Sequence, residues 1–285
     1  MLCTNKIKFS LQHSKLLKIV FFMICGAFFT AVNANSPDTC DKTDKPKSDN
    51  SYFLDIASLQ PSYNSNGFIT HYIEKENHSA AWVFLPIKSS MRDYYKTVAN
   101  VVATEFHKRI DEHSLVPHTK FLIEKNMDNS GYQLLGSVYK KISFTTPILE
   151  IMEKIGDHTN AIYKDHNVED NVVMWNYLGL PIAPDPAVLE LSENNQLIRY
   201  DYYNSFQYHR SVIPKKCFCN SYSQISDYNC DVEYMKTFEQ ELHSKHKETL
   251  EKVISEIRID SKKYLEEKDL REVNQALNHI MNLKF

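Results

Sequence analysis

Glycine is scarce in this chain: six in 285 residues, with Gly26 inside an N-terminal apolar run and Gly67, Gly131, Gly136, Gly156 and Gly179 scattered through the rest. A phosphate-binding P-loop or a dinucleotide fingerprint needs clustered glycines, so that backbone N–H groups can approach phosphate oxygens. Neither motif occurs. A G-x-S-x-G elbow and an H-E-x-x-H helix are also missing, so α/β-hydrolase and zincin chemistry have no support. Positive charge is not in excess either, with 33 Lys and Arg against 36 Asp and Glu. The basic face of a nucleic-acid binder is therefore not expected. No internal repeat is present.

What is present starts with the N-terminus. Lys6, Lys8, Lys15 and Lys18 charge the first residues positively, and no acid precedes Asp38. Ile19 to Ala31 is then a run of 13 apolar and small residues, and Val32-Asn33-Ala34 follows with an A-x-A-like pattern. Such an order reads as a cleavable signal peptide over residues 1–34. A membrane-spanning helix needs about 20 apolar residues, more than the run supplies. Cys25 follows Met23-Ile24, not small residues, which argues against a lipid-modified cysteine there. The expected product is exported, periplasmic or secreted, and free of the membrane after cleavage. Cleavage at Ala34 leaves 251 of the 285 residues, and it removes four of the 33 basic residues and no acid, so the net charge becomes −7.

Four cysteines follow the signal segment: Cys40, Cys217, Cys219 and Cys230. An even number in an exported chain favours disulfides. A bridge between Cys217 and Cys219 would close a very tight loop with poor geometry. Joining Cys40 to one of that pair and Cys230 to the other would staple the N-terminal arm to a late loop, a constraint of roughly 3–5 kcal/mol. The competing reading is a thiolate zinc site built on the C-x-C pair and Cys230, whose spacing is shorter than structural zinc sites use.

Residues 35–50 are polar and proline-bearing, and form a flexible arm. Residues 51–145 read as a strand-rich lobe with one long helix, and 146–285 as a mainly helical lobe with a hairpin and a cysteine-bearing loop. Strands are expected at Tyr52 to Ile56, Phe68 to Ile73 and Ala80 to Ile87. Met91 to Ile110 has helical spacing, with Tyr94, Tyr95, Val98, Val101, Val102, Phe106 and Ile110 returning every three or four residues and Ser90 as N-cap. Lys120 to Glu124 and Tyr132 to Ile142 form a hairpin. Helices follow at Pro147 to Ile155 and Val168 to Leu178, then a hairpin from Val188 to Leu191 and Gln196 to Tyr200. The C-terminal remainder is helical, with Asp269 and Glu272 as a capping box for the last helix. Strands first and helices later predict an α+β fold.

The histidines invite a metal reading that their surroundings do not favour. Glu239, His243 and His246 share a helix face among polar residues, and His158, Asp165, His166 and Asp170 lie in a polar stretch between helices. His107, His113 and His118 read as caps or surface residues. Trp82, Trp175 and the cluster Tyr200, Tyr202, Tyr203, Phe206 and Tyr208 read as core packing.

In the segments FITHYI…AAWVFLPIKSS, the helix after them, SLVPHTKFLIE, YQLLGSVYKKI and LGLPIAPDPAVLELSENNQLIRYDYYNSF, the chain resembles the kinase fold. The likeness is to the degenerate form in phosphatidylinositol 3/4-kinases and the related bacterial toxin-type serine kinases. It covers roughly residues 60–206. The resemblance implies that Lys88 pairs with nucleotide phosphates, Asp201 holds magnesium, Glu105 is the long-helix carboxylate (Asn100 in an equally good register) and Asp185 is the catalytic base. Val188 stands where a metal-binding asparagine is expected, and the turn before Phe68 has one glycine instead of several. An inactive or altered kinase-like scaffold is the leading expectation: an exported binding or effector protein for a protein or small-molecule partner. The alternative is a phosphotransferase using ATP and magnesium. Outside the resemblance, Lys88 is an ordinary strand-end lysine and Asp201 a turn residue.

Overall fold

A computed structural model describes residues 51–75, 81–87, 91–128, 131–147, 150, 167–180, 189–207 and 231–283. The expected signal peptide, polar arm, all four cysteines, Ser90, Lys88, Asp185, His158, Asp165, His166 and Tyr208 lie outside these residues. The described part is mixed α+β, strand-rich first and helical later.

The strands are β1 (Phe53–Asp55), β2 (Leu59–Tyr63), β3 (Ile69–Glu74) and β4 (Ala81–Pro86), followed by the helix α1 (Met91–Ile110) and then β5 (Thr119–Lys125) and β6 (Tyr132–Lys140). They form one sheet in the order β1-β5-β6-β4-β3-β2, antiparallel except for the β1–β5 pair. β2 is not among the strands expected from the sequence, and it contains Pro61. Its place at the sheet edge accommodates the proline: it pairs with β3 alone, so an edge position tolerates the missing N–H.

Both faces of the sheet are apolar, and side chains alternate between them with period 2. Phe53, Phe121 and Ile123 face the main core, while Leu122 joins Leu59, Tyr72, Trp82 and Val138 in a second cluster on the other face, with Leu54 packed against it. The sheet curls around this second cluster. Gly136 permits a close crossing there, since a Cβ would lie 2.2 Å from the Leu85 carbonyl oxygen.

α1 is buried on all sides from Thr97 to Thr104, between the sheet and two later helices. Those are α3 (Val232–Tyr264) and α4 (Glu267–Met281). α3 starts with Asp231 as N-cap, its carboxylate accepting from the Tyr234 N–H at 3.0 Å. Its inward stripe is Met235, Leu242, Leu250, Val253, Ile254 and Ile257. Packed on α3, α2 (Asn167–Tyr177) carries the fully buried Trp175. A small sheet of β7 (Thr145–Pro147), β8 (Leu189–Ser192) and β9 (Leu197–Arg199) completes the described elements. Pro147, expected to open a helix, ends β7 instead. No helix among the described residues is long and apolar enough to cross a membrane.

The capping-box expectation is overturned. α4 begins one turn earlier, with Glu266 as its N-cap residue and no side-chain cap. Asp269 is buried; its Oδ1 accepts from the Tyr94 hydroxyl and its Oδ2 from the Leu134 N–H, both at 2.6 Å. Leu134 adjoins an irregularity in the β5–β6 ladder, so a strand N–H takes the carboxylate that a cap would have used.

Candidate functional site

A cleft of about 380 Å³ opens between the large sheet and the β8–β9 hairpin. Its strand wall is Val83 and Leu85 of β4, which alternation turns away from Trp82. Tyr139 of β6 is the cross-strand partner of Val83, and its ring lies 5.2 Å from that of Tyr200, the residue after β9. Lys141 stands just past β6, Glu190 comes from β8, and Asp201, Tyr203 and Asn204 come from the turn after β9.

The two carboxylates are held in different ways. Glu190 Oε2 accepts from the Tyr200 hydroxyl at 3.0 Å and from the Thr145 hydroxyl, leaving Oε1 with only Lys141 Nζ, at 3.7 Å, among the described residues. The Tyr200 oxygen in turn accepts from the Ile142 N–H at 3.3 Å. Asp201 Oδ1 accepts from the Tyr203 N–H at 3.1 Å, and its backbone oxygen accepts from Arg199 Nε at 2.7 Å. Its Oδ2 takes no hydrogen bond among the described residues. Burial, reinforced by the negative charges of Glu190 and Asp201, raises the Tyr139 hydroxyl above its ordinary range, so it stays a neutral donor.

Behind Asp201 the chain turns into the interior. The Tyr202 hydroxyl lies 2.7 Å from His107 Nδ1 and accepts from Trp175 Nε1 at 3.4 Å. The guanidinium of the buried Arg199 stacks over the Trp175 ring at 5.2 Å. His107, expected to be a cap or a surface residue, is completely buried on α1. Burial pushes its imidazole down to about 4, against the opposing pull of Asp111. Burial also raises Tyr202, so both partners are neutral near pH 7. His113 and His118 are exposed.

The residues expected at a kinase-like site are dispersed. Asp201 lines the cleft. Glu105 does not: it pairs with Arg109 Nε at 2.8 Å, on the part of α1 where Arg109 also binds Glu256 of α3 at 2.5 Å and the Tyr52 hydroxyl at 2.9 Å. Asn100, the other register, donates to Ser137 Oγ of β6 at 3.1 Å. At the tip of the β2–β3 hairpin, Asn64 Oδ1 accepts from the Asn66 and Phe68 N–H groups, each at 3.0 Å, and the Asn64 carbonyl accepts from the Gly67 N–H. These amides are occupied within the turn. Among the described residues no group of three or more His, Cys, Asp or Glu side chains could hold a metal ion. His243 packs edgewise against Tyr177 with ring centroids at 5.4 Å, and His246 lies tilted to the same ring at 5.8 Å.

Sequence reasoning missed Tyr139, Lys141 and Glu190. For Glu190 a signal existed: it is the lone acid in Leu189-Glu190-Leu191, so alternation turns it away from two buried leucines. No protein-family model matches the chain, and no curated protein matches it in sequence.

Proposed function

We propose that this chain is an exported binding or effector protein on a degenerate kinase-like scaffold, acting through occupation of its cleft and not through phosphoryl transfer. The carrying observation is the position of the cleft in the order of elements. Strands β2, β3, β4, β6 and β5 are contiguous, with α1 inserted between β4 and β5, and the cleft lies between that sheet and the hairpin leading to Asp201. This arrangement supports the kinase-like reading carried by the sequence motifs, although a fold alone assigns no chemistry. Export rests on the N-terminal charge, apolar run and A-x-A-like site.

The chemistry around the cleft argues against turnover. Backbone amides that would cradle phosphate at the hairpin tip are already donated to Asn64. The helix carboxylate Glu105 is engaged by Arg109. Asp201 belongs to no group of three or more potential metal ligands among the described residues.

A second reading, an ATP-dependent phosphotransferase with Lys88 on phosphate, Asp185 as base and Asp201 on metal, is favoured by one observation: Asp201 lines the cleft with one carboxylate oxygen unclaimed. Thermal-shift measurements with Mg-ATP and Mn-ATP separate the two. Nucleotide that binds the folded state raises its stability by mass action. The binding-protein reading expects no shift at millimolar nucleotide. A clear shift abolished by Lys88→Ala and by Asp201→Ala would replace it with the second reading.

A further inference from the structure

We propose that the cleft is a receptor for a small organic cation, a protonated amine or quaternary ammonium, held between Asp201 and Glu190 against tyrosine rings. The inference rests on reading the cleft as a binding site and names the chemistry of its ligand.

Charge comes first. Among the described lining residues two are carboxylates and one is an ammonium. That ammonium, Lys141, is about half exposed and sits 3.7 Å from Glu190 Oε1. At this separation the pair is a loose one, and its lysine end stays in contact with solvent. Two further cations stand at its margin, Lys96 over the Tyr203 ring and the buried Arg199 on the Asp201 carbonyl, but neither is among the lining residues.

Pre-organisation is the second support. Each carboxylate has one oxygen fixed by the protein: Glu190 Oε2 by the Tyr200 and Thr145 hydroxyls, Asp201 Oδ1 by the Tyr203 N–H. The side chain of Glu190 is only 13% exposed. Of the other oxygens, Glu190 Oε1 faces only the loose Lys141 pair and Asp201 Oδ2 takes no hydrogen bond among the described residues. Acceptors already held in place lose little freedom when a ligand arrives.

The walls suit the same ligand. Tyr139, Tyr200 and Tyr203 contribute aromatic surface, and a cation over an aromatic ring is attracted by its negative face. One ring already behaves this way, since Lys96 Nζ lies 5.3 Å from the Tyr203 centroid. Val83 and Leu85 supply an apolar side for the body of the ligand. The volume is within the range of small-molecule sites, about 300–1,000 Å³.

Isothermal titration calorimetry on the purified protein tests this, with choline and tyramine as probes. The neutral choline isostere 3,3-dimethyl-1-butanol and the anion 4-hydroxyphenylacetate serve as controls. Binding of at least one cation is expected, with its control weaker by about tenfold or more. Asp201→Asn and Glu190→Gln should each weaken the cation by about tenfold, while circular dichroism melts of Asp201→Asn stay close to the parent. Silence of both cations at ten millimolar, or equal affinity for the neutral isostere, would overturn the proposal. Mg-ATP in the same cell keeps the two failures apart. Nucleotide binding that depends on Lys88 and Asp201 refutes the binding-protein reading, and silent cations without it refute only the ligand class.

Discussion

Asp201 shares a cleft with strands β4 and β6 and Asp269 reaches β6 from α4, and the two carboxylates are used in contrasting ways. Asp269 is buried on α4, with both oxygens taken by donors at 2.6 Å. Asp201 borders a cleft, with one oxygen held by its own turn and the other unclaimed among the described residues. A buried carboxylate survives only if its acceptors are satisfied. One at a cleft can leave an acceptor to water, and therefore to a ligand. The seam between α1, α4 and β6 is accordingly built for stability, and the cleft for exchange.

The sharpest way to break this contrast is Asp269→Ala. It strands the Leu134 N–H and the Tyr94 hydroxyl in the interior, so a loss of about 3 kcal/mol is expected in urea unfolding. A loss no larger than that of a surface substitution would remove the distinction.

Acid should produce the next largest effect, through His107. Its folded value is lowered from 6.5 to about 4 because the charged form cannot be solvated. Below pH 6.5 the unfolded chain takes up a proton that the folded chain refuses until about pH 4. Stability is therefore complete above pH 6.5 and falls by about 3 kcal/mol between pH 6.5 and 4. Unfolding followed across that window, in the parent and in His107→Gln, should show the slope only in the parent.

Glu256→Gln tests the other interior-facing attachment of α1. Arg109 holds Glu256 below the ordinary carboxylate range, against the opposing effect of burial. Its contribution is present above the unfolded carboxylate value and is lost as pH falls through the lower folded one. Because the Glu256 side chain is 36% exposed, removing its charge should cost only about 1 kcal/mol at neutral pH and less at high salt.

Asp201→Ala marks the small end. Stability should change by less than about 0.5 kcal/mol, measured by the same urea melts, while affinity for the proposed cation falls. A large destabilisation would make Asp201 a second Asp269.

Much of the architecture was legible from local pattern. The Met91–Ile110 helix, the β5–β6 and β8–β9 hairpins and the helical C-terminal remainder followed from local pattern, because periods of 3.6 and 2 decide which residues share a face. Legibility failed where a distant partner decided the outcome. Pro61 is compatible with a strand only because β2 occupies the sheet edge. Asp269 resembled half of a capping box until Leu134 and Tyr94 claimed it. His107 carried no sign that α1 would be enclosed on every side.

The cleft shows the same division. Asp201 was singled out from the sequence, but Tyr139, Lys141 and Glu190 became its neighbours only when β6, β8 and the turn after β9 converged. By itself the sequence determined the α+β order, the helical faces and the N-terminal features that suggest export, since each depends on neighbours within a few residues. Tertiary structure alone decided which carboxylates are satisfied and which stay available. That depends on donors 135 residues away from Asp269 in one case and two away from Asp201 in the other, and no local pattern records the longer span.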